Sequence, residues 1–503
     1  MINNLKSPRM LDLLALLSGL AMPLAFAPYG LYPLALILPA VLLLVWQQAS
    51  PGRAWLRGYL FGLGMFGFGL HWLHISIAMF GGSGLLFAWA TTLLLAAVLS
   101  LYPAFIGWLL NRFFARVSLA GRLLLAVPAL WVTGEWIRSW LFSGFPWLSL
   151  GYSQIDSALA GYAPVLGVFG ISLVVILCSS LLALSILARQ RLQRVAAIAG
   201  ILVLFFAGAL LLKINWSEPN GHGIKVAMVQ GAVAQEVKWQ PEQLQQTMRL
   251  YHDLSKPYWG KVDLVIWPET AIPAFDFQLD SYLDFQRKLA AASDTILILG
   301  LATGDTASRQ YRNSMLSLGM HEDIYHKRHL VPFGEYLPLK FVLDPLLEFL
   351  QIPMSDFSPG VAEKPLLELN KYQLGVSVCY EAVFGHEVIQ ALPEADILVN
   401  VSNDAWFGDS IGPHQHLQIA RMRALETSRY MLRATNTGIT AIVDANGRVV
   451  EQLPQFVPDA LMAEVKLHTG VTQYAISGNY PIIILCLIML LVITALRKNS
   501  RRA

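Results

Sequence analysis

The sequence predicts a polytopic α-helical membrane bundle of about eight spans that carries one α/β domain outside the lipid. Three observations predict this fold class. Of the 503 residues, 55% are hydrophobic and only 14% charged, whereas soluble domains are roughly one quarter charged. Long apolar runs fill residues 1–213 and 479–496, but 217–470 has the polarity of a soluble protein. Lys and Arg recur in every second connection of the apolar part.

The apolar runs are close to the roughly 20 residues that a helix needs to cross the hydrocarbon core. A helix satisfies its own backbone hydrogen bonds, which lipid cannot do. The predicted spans lie near residues 10–28, 31–47, 56–80, 83–110, 122–142, 164–188, 194–213 and 479–496. We therefore expect a membrane domain at 1–213, a polar domain at 217–470 and a C-terminal transmembrane helix at 479–496.

The positive charges predict the orientation of the bundle. The intervening connections, among them FAPYGLY and FGGSG, contain neither Lys nor Arg. The basic connections and ends contain Lys6, Arg9, Arg53, Arg57, Arg112, Arg116, Arg122, Arg189, Arg191, Arg194, Arg497, Lys498, Arg501 and Arg502. Because Lys and Arg mark the cytoplasmic side, both termini are predicted inside and residues 217–470 outside. Cleavage of the first span as a signal peptide after Ala27 stays open and would leave the polar domain on the same side.

Residues 217–470 alternate between strand-like and helical patterns, as an α/β domain does. Segments such as LVIW are apolar on both faces, which is typical of a sheet covered on both sides. The predicted strands are 224–230, 262–269, 295–302, 372–380, 396–402 and 438–445, and the predicted helices are 241–256, 278–292 and 413–430.

Cys379 is the one cysteine in the polar part of the chain, because Cys178 and Cys486 lie in apolar runs. This set of three predicts neither a disulfide framework nor a zinc site. Cys379 ends an apolar strand, so its thiol can project from a rigid sheet into a cleft. A buried structural cysteine and a nucleophile both stay open, although an unpaired thiol in an oxidising space favours the nucleophile.

A thiol nucleophile needs a base for its proton and positive charge near the developing anion. Glu269 follows the strand VDLVIW, and Lys327 follows a short strand in IYHKRHLVP. Loops at the ends of parallel strands converge on one crevice, so both side chains can meet Cys379. Taken singly, a loop Glu or Lys is more often a solvated surface charge.

The ordered motifs KVAMVQ, IWPET, YHKRHLVPFGEYLP, GVSVCYE and RATNTGITAIVDANGRVV span residues 224–451 and resemble the nitrilase (carbon–nitrogen hydrolase) superfamily. The resemblance implies an αββα sandwich with a Glu–Lys–Cys triad. By motif, Glu269 matches the general base, Lys327 the oxyanion stabiliser and Cys379 the nucleophile. Glu335, in PFGEY, matches a second glutamate that positions the lysine.

A nitrilase-like domain between seven spans and a final one, with GEWIRSWLFSGFPWLSLGYSQ at 134–154, resembles the apolipoprotein N-acyltransferase family. The resemblance implies the last step of lipoprotein maturation in the bacterial inner membrane, with a periplasmic catalytic domain. It also implies that a phospholipid, typically phosphatidylethanolamine, donates an acyl chain through a Cys379 thioester to the α-amino group of a diacylglyceryl apolipoprotein. We expect no cofactor, no metal, no nucleic-acid partner and a monomer.

Further residues in the matching segments are candidates for supporting roles. Tyr380 and Glu381 flank the nucleophile, where a supporting role is favoured over simple packing of the strand end, and the Tyr380 N–H is a second candidate oxyanion donor. Trp239 resembles a family tryptophan near the cleft, so a hydrophobic gate and simple packing on the next helix both stay open. Arg138 suits a lipid phosphate, although an intrahelical pair with Glu135 is the plainer interpretation.

Histidines and aromatics in the chain have plainer alternatives as well. His71 and His74, inside a predicted span, are either functional or hydrogen-bonded to neighbouring helices. His414 and His416 have the wrong spacing to share a metal on a helix. The segment 145–147 with Tyr152 is predicted to form an aromatic anchor at the membrane interface, where it could also line the acyl-chain route.

Two rival functions remain at the level of sequence. A membrane-tethered nitrilase-type amidase would use water as the acceptor, and the triad motifs do not separate water from an amine. Seven preceding spans favour the acyltransferase, because one span suffices to tether a hydrolase. A non-enzymatic lipoprotein-binding protein is disfavoured by the intact set Glu269, Lys327 and Cys379.

Overall fold

The structure, a computed structural model, describes residues 7–80, 84–221, 223–305, 310–337, 357–361, 363–369 and 371–502. Lys6 and loop residues 81–83, which enter the predicted orientation, lie outside the described residues. The chain divides into two compact units. The first comprises Met1–His74, Leu85–Asn215 and Ile476–Ala503, and the second comprises Ile75–Gly84 and Trp216–Ala475.

The first unit is built of apolar helices joined by short turns. Its sequence is rich in Leu, Ala, Val and Phe, which form helices readily when their apolar surfaces are covered by protein or lipid. Among the described residues, its α-helices are Pro8–Ala21, Leu34–Trp46, Pro51–Gly69, Gly84–Leu99, Leu101–Phe113, Leu119–Gly121, Val127–Arg138, Ala163–Leu187, Arg191–Leu211 and Tyr480–Arg502, and the helix Leu73–Phe80 begins in this unit and continues into the second. A π-helical turn, Arg122–Ala126, precedes Val127–Arg138, and 3-10 turns lie at Met22–Ala25, Leu141–Ser143, Leu150–Gln154 and Ala158–Tyr162.

Within the described residues, five stretches are long and apolar enough to cross a membrane. They are Pro8–Ala25, Gly84–Phe113, Ala158–Leu187, Arg191–Leu211 and Tyr480–Arg497. The helices Pro51–Gly69 and Leu73–Met79, bent by 57° at their break, give a sixth if they count as one span. Leu34–Trp46 is shorter, with 13 residues. A membrane protein is therefore supported, but the predicted number of eight spans is not confirmed.

The helices of the first unit combine tight internal contacts with exposed apolar side chains. A Cβ at Gly58 would lie 2.3 Å from the backbone oxygen of Pro103, so Pro51–Gly69 and Leu101–Phe113 approach backbone to backbone. Leu86 and Leu491, by contrast, are 86% and 70% exposed. Exposed leucines along apolar helices are what contact with lipid requires.

The predicted aromatic anchor is wrong for two of its members. Trp147 and Tyr152 are buried within the first unit, and the Trp147 ring lies 5.4 Å from that of Trp72. They fill the interior because the turn after helix Val127–Arg138 folds back onto the helices. The exposed aromatics of this region are Trp140 and Phe142.

The second unit contains two large sheets. Its strands are β1 Glu218–Pro219, β2 Ile224–Gln230, β3 Leu264–Ile266, β4 Ile272–Phe275, β5 Ile296–Asp305, β6 Gln310–Leu318, β7 Asp323–His326, β8 Leu366–Leu369, β9 Tyr372–Val378, β10 Ile397–Ser402, β11 Met431–Thr435, β12 Ala441–Val443, β13 Val449–Gln452, β14 Asp459–Val465 and β15 His468–Thr469. One sheet has the order β14-β2-β3-β5-β6-β7, with β4 beside β5, and the other has the order β13-β12-β11-β10-β9-β8. The neighbours β2, β3 and β5 are parallel, as are β9, β10 and β11.

Alternation along the strands produces four layers. In β2, Val226 and Met228 join a core cluster that also contains residues of β9 and β10, so the two sheets pack face to face. Ala227 and Val229 point the other way, toward a cluster that includes side chains of the first covering helices. A third cluster joins the second sheet to its own helix. The α-helices in the part of this unit that the structure describes are Gln235–Lys238, Pro241–Ser255, Asp280–Ala292, Gly385–Val388 and Gly412–Thr427, and Gln473–Ser477 begins in this unit and ends in the first. The predicted αββα sandwich is thus observed.

Candidate active site

Three predicted site residues follow strands of the two packed sheets. Lys327 comes directly after β7, Cys379 directly after β9, and Glu269 three residues after β3. All three are buried, with 1% of Lys327, 5% of Glu269 and 8% of Cys379 exposed. Lys327 and Cys379 stand directly at the ends of rigid strands and Glu269 lies close to the end of one, so the sheets largely fix the positions of these residues.

Glu269, Glu335 and Lys327 form one hydrogen-bonded cluster. Lys327 Nζ lies 2.8 Å from Glu335 Oε1 and 3.5 Å from Glu269 Oε1. Asn313 Nδ2 donates to the same two oxygens, at 2.7 Å for Glu269 and 2.9 Å for Glu335. The other Glu269 oxygen accepts from the backbone N–H of Asn403 at 2.8 Å. Both carboxylates are thereby held in fixed orientations around one ammonium group.

The charges of this cluster set the ionisation of the lysine and the thiol. Burial alone would lower the pKa of Lys327, but attraction to Glu335 and then Glu269 outweighs it and raises the pKa, so the side chain stays an ammonium. Burial raises the pKa of the Cys379 thiol, Glu269 raises it further, and Lys327 offsets only part of the increase. Cys379 is therefore a protonated thiol at neutral pH, and a reaction at its sulfur requires a base.

The backbone of Cys379 has a left-handed conformation, with φ of 52°. Such a conformation is uncommon for a residue with a side chain and persists only where its surroundings hold it. Here the strand β9 ends and a 3-10 turn, Cys379–Val383, begins. The chain changes direction at Cys379, so the thiol lies where the strand has ended. This is the position expected for a nucleophile at the edge of a sheet.

Glu381 holds the nucleophile turn and the lysine loop together. Its Oε2 accepts from the N–H of Val378 at 2.7 Å, just before the nucleophile. Its Oε1 accepts from Arg328 N at 2.7 Å and from Tyr325 OH at 2.8 Å, on either side of Lys327. Glu381 is buried, so the geometry favours the predicted supporting role over contact with a substrate.

The two aromatic candidates differ in their surroundings. The half-buried Tyr380 ring lies edge to face with His329 and Phe384, at centroid distances of 5.9 Å and 5.1 Å. Trp239, at the end of helix Gln235–Lys238, is exposed. Its exposure fits a gate better than a ring packed on the next helix, and the gate stays a prediction.

Two residues near the cluster were not anticipated from the sequence. Asn313 sits within β6, and an Asn in the middle of a strand-like run was its only signal. Lys238 is 1% exposed, and its Nζ has no hydrogen-bond partner among the described residues. Burial lowers the pKa of Lys238 to about 8, against the attraction of Glu269. Nothing in the sequence around Lys238 indicates that its side chain is buried, since the neighbouring Trp239 is exposed.

Arg138 lies in the first unit and is buried. Its guanidinium donates to the carbonyl oxygens of Phe145 at 2.6 Å and Trp147 at 2.5 Å, and to Ser149 Oγ at 3.1 Å. Glu135, one turn earlier, accepts from the N–H of Leu150 at 2.9 Å. These contacts favour a structural role in holding the turn after the helix, and contact of Arg138 with a lipid phosphate stays a prediction.

The histidines singled out in the sequence mostly bond to nearby backbone or side chains. His71 Nδ1 lies 2.7 Å from Phe68 O, and His74 Nδ1 lies 2.5 Å from His71 O. These contacts with backbone carbonyls at the break between helices Pro51–Gly69 and Leu73–Phe80 favour the structural alternative. His414 Nε2 lies 3.3 Å from Gln455 Nε2. His416 contacts the backbone of Cys379.

Known proteins resemble this chain over nearly its whole length. Family models described as Apolipoprotein N-acyltransferase N-terminal domain and Carbon-nitrogen hydrolase match residues 18–181 and 225–473. An apolipoprotein N-acyltransferase of Methylococcus capsulatus is 46% identical over 476 residues, which cover 94% of each chain. One of Nitrosomonas europaea is 43% identical over 488 residues, which cover 96% of this chain and 97% of the relative. A solved structure, Saccharomyces cerevisiae Nit3 of the nitrilase superfamily, is 18% identical with a TM-score of 0.38, covering 49% of this chain and 91% of its own.

Proposed function

The chain belongs to the apolipoprotein N-acyltransferase family and is an acyltransferase of lipoprotein maturation, and from this premise we propose a ping-pong mechanism with a phospholipid donor. Cys379 takes a fatty acyl chain as a thioester and passes it to the α-amino group of a diacylglyceryl-cysteine. The observation that carries the proposal is a buried cluster in which the Lys327 ammonium lies 3.5 Å from Glu269 and 2.8 Å from Glu335, with the buried Cys379 thiol near enough for the charges of Glu269 and Lys327 to act on its pKa.

The first half-reaction is acylation of the thiol. Glu269 accepts the thiol proton while the Cys379 sulfur attacks the ester carbonyl carbon of the phospholipid. The carbonyl oxygen becomes an oxyanion beside the Lys327 ammonium and the N–H of Tyr380. The carbon–oxygen bond to glycerol then breaks, and the glycerol oxygen takes the proton from Glu269. A lysophospholipid leaves, and the acyl group remains on sulfur.

The second half-reaction transfers the acyl group to the apolipoprotein. The α-amino nitrogen of the diacylglyceryl-cysteine attacks the thioester carbon, and Glu269 accepts a proton from that nitrogen. The carbon–sulfur bond breaks, and the Cys379 thiolate recovers its proton from Glu269. The product is an amide, and the enzyme is regenerated. Glu335 supports both steps, because its contact with Lys327 keeps the ammonium in place and charged.

We also propose that the chain lies in the bacterial inner membrane with residues 217–470 on the periplasmic side and both termini in the cytoplasm. The alternation of basic and neutral connections supports this orientation. The measurement is labelling of spheroplasts with a membrane-impermeant maleimide. Lys256→Cys, at an exposed position of the second unit, should be labelled, and Arg191→Cys should not be until the cells are lysed. The reverse pattern would contradict the orientation.

The proposed mechanism is tested by mass spectrometry of the purified full-length chain after incubation with phosphatidylethanolamine alone. We expect one acyl adduct on the peptide that contains Cys379, together with released lysophospholipid. Cys379→Ser should abolish formation of the thioester and N-acylation of a diacylglyceryl peptide, whereas Cys178→Ser should leave both unchanged. Absence of an adduct on the wild-type chain would end the covalent route. Release of free fatty acid at the same rate with and without the peptide would indicate the amidase-like alternative.

A further inference from the structure

A buried polar cluster contacts the backbone of Cys379. Its residues lie on or next to elements of the sheet β13-β12-β11-β10-β9-β8. It consists of His416 on helix Gly412–Thr427, Arg433 on β11, and Asp404, two residues after β10. Each of the three is at most 1% exposed. The mechanism described above uses none of them, yet burying an imidazole, a guanidinium and a carboxylate is costly unless they are mutually bonded.

The hydrogen-bond chemistry of His416 fixes which ring nitrogen carries a hydrogen toward the nucleophile. Nε2 lies 3.2 Å from the carbonyl oxygen of Cys379, while Nδ1 lies 3.0 Å from Arg433 Nη2 and 3.1 Å from Asp404 Oδ1. A carbonyl oxygen can only accept, so the contact with Cys379 requires a hydrogen on Nε2. The neutral ring with Nδ1 accepting from Arg433 provides it, and so does the imidazolium with Nδ1 donating to Asp404. His416 donates to the Cys379 carbonyl in either state.

The guanidinium of Arg433, which is itself held by hydrogen bonds, contacts the Nδ1 atom of the His416 ring. Arg433 Nη2 donates to Asp404 Oδ2 at 2.8 Å, and its Nη1 donates to the side-chain oxygen of Asn400. Asn400 Nδ2 in turn donates to the carbonyl oxygen of Ser377 at 3.2 Å, two residues before the nucleophile. Burial, and then the charge of Arg433, lower the pKa of His416. The neutral form with hydrogen on Nε2 therefore predominates at neutral pH.

The carbonyl that His416 contacts belongs to the same peptide group as the N–H of Tyr380. A trans peptide is planar, and its C=O and N–H point in opposite directions. The cis peptides among the described residues precede Pro28 and Pro393, so the Cys379–Tyr380 peptide is trans. A donor that holds the oxygen from one side therefore directs the N–H to the opposite side. It also polarises the peptide group and makes the N–H a stronger donor.

We propose that His416 is a positioning residue that aims the Tyr380 N–H at the oxyanion by holding the Cys379 carbonyl, with Arg433 and Asp404 fixing the ring. The proposal rests on the proposed function, in which that N–H faces the ester oxygen. It also gives a physical reason for the left-handed backbone at Cys379, because a hydrogen bond to the carbonyl helps to offset the cost of that conformation.

The test compares two substitutions of His416. Each places an amide nitrogen at the position of one of the two imidazole nitrogens. In His416→Gln the amide nitrogen reaches the position of Nε2 and can still donate to the carbonyl. In His416→Asn the amide nitrogen reaches only the position of Nδ1. This variant therefore keeps a polar group next to Asp404 but loses the hydrogen bond to the Cys379 carbonyl. His414→Leu, a half-buried histidine two residues away, is the matched control.

Two rates are measured on the full-length chain in detergent, both by mass spectrometry of the Cys379 peptide. One is acylation by phosphatidylethanolamine, which passes through an oxyanion. The other is alkylation by iodoacetamide, which displaces iodide at carbon and develops no oxyanion. We expect His416→Asn to slow acylation about 100-fold and to change alkylation by less than about threefold, since one oxyanion donor is worth this much. His416→Gln should stay within about tenfold of the wild type in acylation, because it keeps a donor to the carbonyl.

Three results would overturn the inference. The first is acylation by the Asn variant within about threefold of the wild-type rate, which is less than the loss of one oxyanion donor causes. The second is a parallel fall of both rates, which would mean that His416 positions the thiol or maintains the fold. Failure of both variants to fold would likewise make the residue structural. A wild-type chain that forms no acyl adduct contradicts the proposed function instead, so the two failures are distinguishable.

Discussion

Replacing Lys238 with Met should make the protein more stable and its reaction slower. The Lys238 pKa falls from 10.5 to about 8 on folding, a difference of about 2.5 units. At about 1.36 kcal/mol per unit, the folded state at pH 7 bears a cost of about 3 kcal/mol for keeping the ammonium buried. Methionine fills a similar volume without charge, so the variant should gain up to about 3 kcal/mol.

The pH dependence separates this explanation from a general packing effect. Because the folded-state pKa of Lys238 is the lower one, the unfolded chain binds more protons between pH 8 and 10.5. Wild-type stability should therefore rise relative to the variant across that interval, and the advantage of Lys238→Met should vanish near pH 10.5. Below pH 8 the advantage should be constant, because both states of the wild type are protonated there.

The assay is chemical denaturation of the full-length chain in detergent, followed by tryptophan fluorescence at several pH values. Lys256→Met, at an exposed position, should leave stability nearly unchanged and serves as the control. Acyl transfer by Lys238→Met should fall by about tenfold or more, because the buried cluster loses a positive charge that interacts with the Glu269 carboxylate. An advantage that does not change between pH 8 and 10.5, or no advantage at pH 7, would refute the reasoning.

Three further substitutions test other contacts. Glu335→Gln should lower the rate of Cys379 acylation about 10-fold to 100-fold because Lys327 loses its 2.8 Å carboxylate partner, and an unchanged rate would contradict a supporting role. Glu381→Ala leaves four donors, the Tyr325 hydroxyl and the N–H groups of Arg328, His329 and Val378, without their acceptor, so it should cost about 3 kcal/mol of unfolding free energy and slow acylation about 100-fold; full activity in a stable variant would argue against it. Arg138→Ala should cost about 2 kcal/mol of stability and leave KM for phospholipid unchanged, whereas a raised KM at constant stability would favour phosphate contact.

Much of the α/β fold could be predicted from the sequence because its central strands are short, apolar and buried. The predicted strand 224–230 coincides with β2, and 372–380 ends at Val378 because the backbone reverses at Cys379. The strand β13 was missed because its residues are mostly exposed and carry no continuous apolar run. Edge strands of this kind depend on their neighbours for hydrogen bonds, and a single sequence does not reveal which neighbour they have.

The residues of the candidate site also fall into those that the sequence predicted and those that it did not. Glu269, Lys327 and Cys379 were predicted because each follows a strand, where side chains converge, and because the ordered motifs around them resemble the nitrilase superfamily. Asn313 and Lys238 were not, because their roles come from burial and from contacts with residues far away in sequence. The environment of Arg138 was not predictable for the same reason: its partners are backbone carbonyls of the following turn, and sequence composition carries no information about them.

The proposed reaction moves charge through the buried cluster without changing its sum. At rest, the Lys327 ammonium contacts the carboxylates of Glu269 and Glu335, the charge of Lys238 interacts with Glu269, and the thiol is neutral. Proton transfer from Cys379 to Glu269 removes one negative charge, and attack on the ester creates another on the oxyanion. Because a net charge is costly in a buried site, a sequence of steps that conserves it avoids a large desolvation barrier. The same reasoning explains why a protonated thiol beside a carboxylate suits this reaction better than a preformed thiolate, which would add a third negative charge to the cluster.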